Sequence, residues 1–218
     1  MTHKLSLPDT HSLAESSNDG RMYAPSAARN KDAICTLVSA HAPLSGRALE
    51  IASGTGEHAC ALAACLSNLQ WQPSDPAPDR RRSIDLHAKA MKLGNISPAI
   101  DLDAAVSGWS KSHAGHDLIV LVNLLHLIPT QSVQTVISEA AQALNQDGVF
   151  ILYGPFLRDG ETTSEGDAEF DANLRRQNPD IGYKDDWDVI EWVQQAGLEL
   201  VRVMEMPANN LAFVSRRP

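Results

Sequence analysis

The stretch Arg47-Ala48-Leu49-Glu50-Ile51-Ala52-Ser53-Gly54-Thr55-Gly56-Glu57-His58-Ala59 reads as a buried strand, a turn of small residues and the start of a helix. Ala48, Leu49 and Ile51 are apolar and suit a strand lying between two layers of helices. Ser53, Gly54, Thr55 and Gly56 let the backbone turn sharply, and glycine permits positive φ and close approach of a ligand. The first N–H groups of the following helix have no intrahelical acceptor and point into that turn. The pattern predicts a nucleotide-type cofactor site at the strand's carboxyl end.

Outward from this turn the chain alternates strands and helices. Upstream, Ile34, Leu37 and Val38 mark a helix that stops near Pro43 and Gly46. Residues 21–30 precede it as an expected flap over the turn, and residues 1–20 read as a flexible, polar N-terminal arm. Downstream come a helix over Glu57 to Leu66, a strand over Leu69 to Ser74 closed by Asp75, and a polar helix over Asp79 to Leu93. A third strand is expected over Ser97 to Leu102. The run Leu118 to Val122 reads as a central strand, and Asn123, Leu124, Leu125 and His126 follow at its exit. A helix over Thr130 to Leu144, a fifth strand over Val149 to Tyr153 and an irregular, lid-like stretch over Arg158 to Tyr183 come next. Asp186 to Ala196 is helical. Leu198 to Glu205 and Leu211 to Ser215 are joined too closely to be parallel, so they form an antiparallel pair. The fold class is therefore α/β: a Rossmann-like, doubly wound seven-stranded sheet with a C-terminal antiparallel hairpin, in one domain over 21–218.

Composition narrows the function. The 218 residues are 43% hydrophobic, enough for a sizeable core, and the formal net charge is −9. That charge opposes binding to nucleic acid or an anionic membrane, and the four tryptophans form no stacking platform. No apolar run approaches the roughly 20 residues of a membrane span. Cys35, Cys60 and Cys65 lack paired spacing, which fits core thiols in a reducing cytoplasm and no metal site. His113-x-x-His116 reads as a loop pair. A small-molecule partner is expected, and nothing in the sequence sets the oligomeric state.

Two cofactors compete for the turn. Gly54-x-Gly56-x-x-Ala59 satisfies a dinucleotide fingerprint, with Asp75 about 20 residues on. Against NAD stand the acid Glu50 inside the strand, the absence of a Tyr-x-x-x-Lys dyad, and the terminal hairpin, which leaves no separate substrate domain. The residues favour S-adenosyl-L-methionine (SAM). An NAD-dependent reductase and a non-catalytic SAM-binding protein remain the alternatives to a SAM-dependent methyltransferase.

The chain also resembles the DUF938 family, a group identified as class I SAM-dependent methyltransferases. The resemblance rests on Tyr23-Ala-Pro-Ser-Ala-Ala-Arg-Asn-Lys-Asp32, Leu49-Glu-Ile-Ala-Ser-Gly-Thr-Gly-Glu-His58, Trp71-Gln-Pro-Ser-Asp75, Asn123-Leu-Leu-His126, Tyr153-Gly-Pro-Phe156, Phe170-Asp171 and Met206-Pro-Ala-Asn-Asn-Leu211. Departures fall at Gly166-Asp167, Lys184 and Pro129-Thr130, in loops expected to meet substrate. The resemblance implies the class I methyltransferase fold and SAM as cofactor. It places Ala52, Ser53, Gly54 and Gly56 under the methionine part, with Glu50 polarising the turn. Asp75 falls at the ribose, Asp101 and Leu102 at the adenine, and Asn123 and Leu124 at the methyl end. Arg29 and Asn30 are candidates for the cofactor carboxylate. His126 is the candidate general base, because histidine titrates near neutral pH, and Tyr153 is the candidate for orienting the acceptor. Tyr23, Asp171, Arg175, Asn209 and Asn210 are candidate acceptor contacts.

Overall fold

In the computed structural model, residues 14–218 are described. Two short strands, β1 (Glu15–Ser16) and β2 (Met22–Tyr23), pair antiparallel. Then follow α1 (Pro25–His41), β3 (Gly46–Ile51), α2 (Glu57–Cys65), β4 (Leu69–Pro73), α3 (Pro78–Ala90), β5 (His116–Val122), α4 (Thr130–Ala143) and β6 (Leu144–Leu157). The chain ends with α5 (Glu165–Gln177), β7 (Lys184–Asp185), α6 (Asp186–Gln195), β8 (Glu199–Met206) and β9 (Asn210–Arg216).

The sheet order is β4-β3-β5-β6-β9-β8, with β7 pairing the end of β6. β4, β3, β5 and β6 are parallel, and β9 enters antiparallel between β6 and β8. Side-chain alternation divides the core into two layers. Leu49, Ile51, Ile119, Leu121, Phe150, Leu152 and Phe213 pack on one face with residues of α4 and α6. Ala48, Leu118, Val120, Ile151, Tyr153, Ala212 and Val214 pack on the other with residues of α1 and α2. Each fully buried large side chain contributes roughly 1.5–3 kcal/mol, so these central strands anchor everything at their ends. Among the described residues no helix is long and apolar enough to cross a membrane.

Three expectations change in detail. The third strand is not a ladder: residues 96–100 run beside β4 through isolated pairings of Ile96 with Trp71 and Ile100 with Ser74. Pro98, lying between those two pairings, has no N–H to donate, so regular bonding fails at this edge. Lys184–Asp185 is the seventh strand instead. Next, α1 starts at Pro25, so Arg29 and Asn30 sit within the helix rather than in a flap before it. Proline suits a first helical position because the missing N–H would have been unpaired anyway. Finally, the irregular stretch over 158–183 contains the 13-residue α5, capped by the Ser164 hydroxyl accepting from Asp167 N–H. Of the arm expected over 1–20, residues 1–13 lie outside the described residues, and Glu15–Ser16 is β1.

Candidate functional site

At the carboxyl end of β3 the chain turns through Ala52 (φ 53°), Gly54 (φ 56°) and Gly56 (φ 94°). A left-handed alanine costs on the order of 1–3 kcal/mol and persists only where its surroundings over-determine it. Here they do. Ser53 N–H donates to Ser74 O (2.8 Å), and Ser74 Oγ donates to Glu50 O (2.8 Å). Gly54 N–H donates to Asp75 Oδ2 (3.0 Å), while Asp75 Oδ1 accepts from Ala77 N–H (2.9 Å). One buried carboxylate thus fixes both the β3–α2 turn and the approach to α3. Burial raises the Asp75 pKa, and the backbone donors from Ala77 and Gly54 oppose that rise.

Glu50 lies beneath the turn and outside the cavity lining. Its side chain is fully buried, and Oε2 has no hydrogen-bond partner among the described residues. Burial pushes its pKa up to about 8, against the opposing effect of Ser53, so the group is mostly protonated at neutral pH. Gly56 also lies outside the lining. A Cβ there would fall 2.7 Å from Ile84 Cα, so this glycine lets α2 and α3 approach rather than touching a ligand.

The start of α1 is tied to the same corner. Glu57 Oε2 accepts from Ala24 N–H (2.7 Å), Ser83 Oγ accepts from Met22 N–H (2.8 Å), and His87 Nε2 meets Met22 O (2.8 Å). These contacts turn Arg29 and Asn30 toward a cavity of about 770 Å³ over the strand ends. Of the sequence-derived candidates, Arg29, Asn30, Ala52, Ser53, Gly54, Asp75, Leu102, Asn123, Leu124, His126, Tyr153 and Asn210 line it.

Others do not. Asp101 points elsewhere, 3.3 Å from Arg81, and Asp103 lines the cavity in its place. Tyr23 packs edge-on against His87. Asp171 pairs with Arg175 (2.7 Å) and accepts from Tyr183 N–H (2.6 Å), tying α5 to the chain before β7. Asn209 donates through Nδ2 to Asp167 (2.9 Å); its neighbour Asn210, which does line the cavity, spends its Nδ2 on Pro207 O (2.9 Å) as turn chemistry.

Sequence reasoning missed His58. Its Nε2 lies 2.8 Å from Asn30 Oδ1, and burial lowers its pKa to about 4, with Lys31 adding to the effect. The ring is therefore neutral, with its proton on Nε2, where it donates to Asn30. Beside this pair, Tyr153 is buried within β6, where the strand lies between Val122 and Ala212. Its hydroxyl lies against Asn30 without reaching hydrogen-bond geometry, and burial raises its pKa. The opposite end of the lining comes from α5 and its neighbours: Asp167, Phe170 and Tyr183, none of them singled out as an acceptor contact, although Asp167 falls in a loop expected to meet substrate. The readable sign of this helix was Ser164-x-x-Asp167, a capping pattern. His126 sits in the turn Leu125–Leu127 after β5, and its carbonyl accepts from Gly182 N–H (3.0 Å). Asn123, just before it, is held at φ 56°.

A family model described as a protein of unknown function, DUF938, matches residues 21–217, and the chain belongs to that family. Among solved structures the chain is similar to an O-methyltransferase family protein from Burkholderia thailandensis (TM-score 0.76, 17% identity, covering 88% of this chain and 57% of that one). It is also similar to the SAM-dependent methyltransferase SibL (TM-score 0.72, 18% identity, 88% and 55% covered). A third is human N-acetylserotonin methyltransferase, solved in complex with SAM (TM-score 0.72, 13% identity, 88% and 52% covered). The fold is that of class I methyltransferases. The chain spans somewhat over half the length of these neighbours.

Proposed function

We propose that this member of the DUF938 family is a SAM-dependent methyltransferase acting on a small-molecule acceptor. One observation carries the reading. The cavity opens at the carboxyl ends of β3 and β5, where the strand order reverses, and its floor is the turn clamped by Asp75. Open α/β sheets bind ligands at such a switch point. The solved neighbour with SAM bound supports the choice of cofactor, and about 770 Å³ lies within the range of small-molecule and cofactor sites.

The residues present fit SAM. Arg29 offers a cation for a carboxylate. Asp75 uses one lone pair of each oxygen on backbone donors and keeps others for ribose hydroxyls. The Tyr153 hydroxyl is a buried polar atom in want of a partner, which a ligand would satisfy. Bound SAM supplies an activated methyl group on a sulfonium. The protein's part is to bind, orient and exclude water. Asn123 and Leu124 hold the exit of β5, and His126 is placed to take a proton from a protic acceptor atom. Asn30 accepts from His58 through Oδ1, which leaves both of its Nδ2 protons to donate.

Titration calorimetry tests the reading. SAM and its demethylated product S-adenosylhomocysteine (SAH) bind with one site per chain, and NADH does not. Binding of NADH with no response to SAM or SAH would instead establish the reductase.

A further inference from the structure

The part of the cavity wall formed by α5 and the exit of β5 has a chemistry of its own. Three rings meet there in mutual contact. His126 and Phe170 have centroids 5.9 Å apart at 57°, His126 and Tyr183 are 6.1 Å apart at 75°, and Phe170 and Tyr183 are 6.1 Å apart at 62°. Leu127, Leu174 and Ile181 back them as a small apolar cluster separate from the main core. Tilted and edge-on rings leave faces and edges available to a further ring, which prefers such geometry over a flat stack.

The charge on this wall is one-sided. From residue 122 onward, Asp167 is the only Asp, Glu, Lys or Arg among the described lining residues. Its carboxylate accepts from the Tyr183 hydroxyl (3.3 Å), the Ser164 hydroxyl (2.7 Å) and Asn209 Nδ2 (2.9 Å), all neutral donors. Cations on neighbouring residues have other partners: Arg158 pairs with Glu205 (3.0 Å) and donates to Asn209 O (3.3 Å). Arg175 binds Asp171 and donates to Tyr183 O (3.1 Å), and Lys184 Nζ donates to Gly182 O (2.8 Å). A carboxylate held by neutral donors beside aromatic rings attracts a cation on two counts, charge and ring quadrupole. The same arrangement repels an anionic ligand.

We propose that the acceptor is an arylalkylamine-type compound, a planar aromatic ring carrying a cationic group, with its ring against Phe170 and Tyr183 and its ammonium toward Asp167. This rests on the reading that SAM occupies the rest of the cavity. It assigns Asp167 and Phe170 as residues that select the acceptor.

Three nearly isosteric probes test it by calorimetry on the SAH-loaded protein: tyramine, 4-ethylphenol and 4-hydroxyphenylacetate. Tyramine binds most tightly, about tenfold or more ahead of 4-hydroxyphenylacetate, with 4-ethylphenol between them. Asp167→Asn brings tyramine to within about twofold of 4-ethylphenol, and Phe170→Ala weakens all three by about fivefold or more. Melting temperature and SAH affinity, measured on both variants, show that each still folds. The assignment is overturned if 4-hydroxyphenylacetate binds as well as tyramine, if no probe binds while SAH does, or if Asp167→Asn preserves the ranking. Failure of SAH itself to bind would remove the cofactor reading, and the acceptor assignment with it.

Discussion

The β3–α2 turn and helix α5 both border the cavity, but they are held in place by different means. The turn hangs from fully buried strands, its backbone donors meet Ser74 O and the Asp75 carboxylate, and Gly56 presses against the Ile84 backbone. α5 fully buries one side chain, Leu174, packs a partly buried Phe170 on the small cluster beside it, and is otherwise held by polar contacts such as Asp171 with Arg175 and Asp167 with Asn209. Contacts of the second kind are worth little individually, typically below about 1 kcal/mol. The turn's side of the cavity is thus rigid by construction, and the α5 side can vary in sequence at small cost in stability.

Glycines give the hardest test of this contrast. Gly56→Ala forces a Cβ to 2.7 Å from the Ile84 backbone at φ 94°. Strain and overpacking together cost about 2–5 kcal/mol. Gly166→Ala, in the first turn of α5, meets only Ser164 Oγ at 3.8 Å, and helix propensity favours it by up to about 1 kcal/mol. Urea denaturation of the two variants reads the difference directly. Comparable losses would show that α5 is as tightly integrated as the turn.

Asp75→Ala ranks next. It removes a charged acceptor from two buried N–H groups and weakens SAH binding by about 2–3 kcal/mol, a factor of roughly 30 to 150. An unchanged Kd by calorimetry would remove Asp75 from the site.

Glu50 sharpens the contrast through pH. Its pKa rises from 4.5 to about 8 on folding, so its contribution to stability is complete below pH 4.5 and is lost as pH rises toward 8. Glu50→Gln cannot ionise. The stability of wild type minus that of the variant therefore falls by on the order of 4–5 kcal/mol across that window and is flat outside it. A difference independent of pH between 4.5 and 8 would mean that Glu50 is solvated in the native state.

The smallest effect belongs to Asn209→Ala, which frees Asp167 from the β8–β9 turn. Stability changes by about 0.5 kcal/mol or less, while hydrogen exchange in the first turn of α5 accelerates. Unchanged exchange there would show that the Asp167–Asn209 bond does not hold the helix.

Legibility in the sequence follows the same division. The long strands, the terminal hairpin and the turn could be read because buried apolar runs and glycines leave strong periodic and local signals, whereas the edge stretch at Ser97 to Leu102 and the two-residue strand Lys184–Asp185 have no such run. Arg29 and Asn30 are legible as residues but not as helical ones, because the apolar stripe of α1 is strongest at Ile34, Leu37 and Val38, and only Pro25 marks the earlier start. Asp101 and Asp103 are two residues apart at an edge where Pro98 interrupts pairing, and sequence alone does not decide which faces inward. α5 escaped because it has almost no apolar stripe. Phe170 and Tyr183 lie 13 positions apart and meet through a fold-back at Gly182, a contact no local pattern encodes. His58 escaped because nothing in the sequence links it to Asn30 on a different helix.

The most direct measurement of the central claim is a crystal structure with SAH. The account predicts adenosine over the end of β4, with Asp75 at the ribose hydroxyls, and the sulfur directed past Asn123 toward His126, Phe170 and Tyr183. SAH bound with its sulfur directed away from α5, or bound outside this cavity, would contradict it.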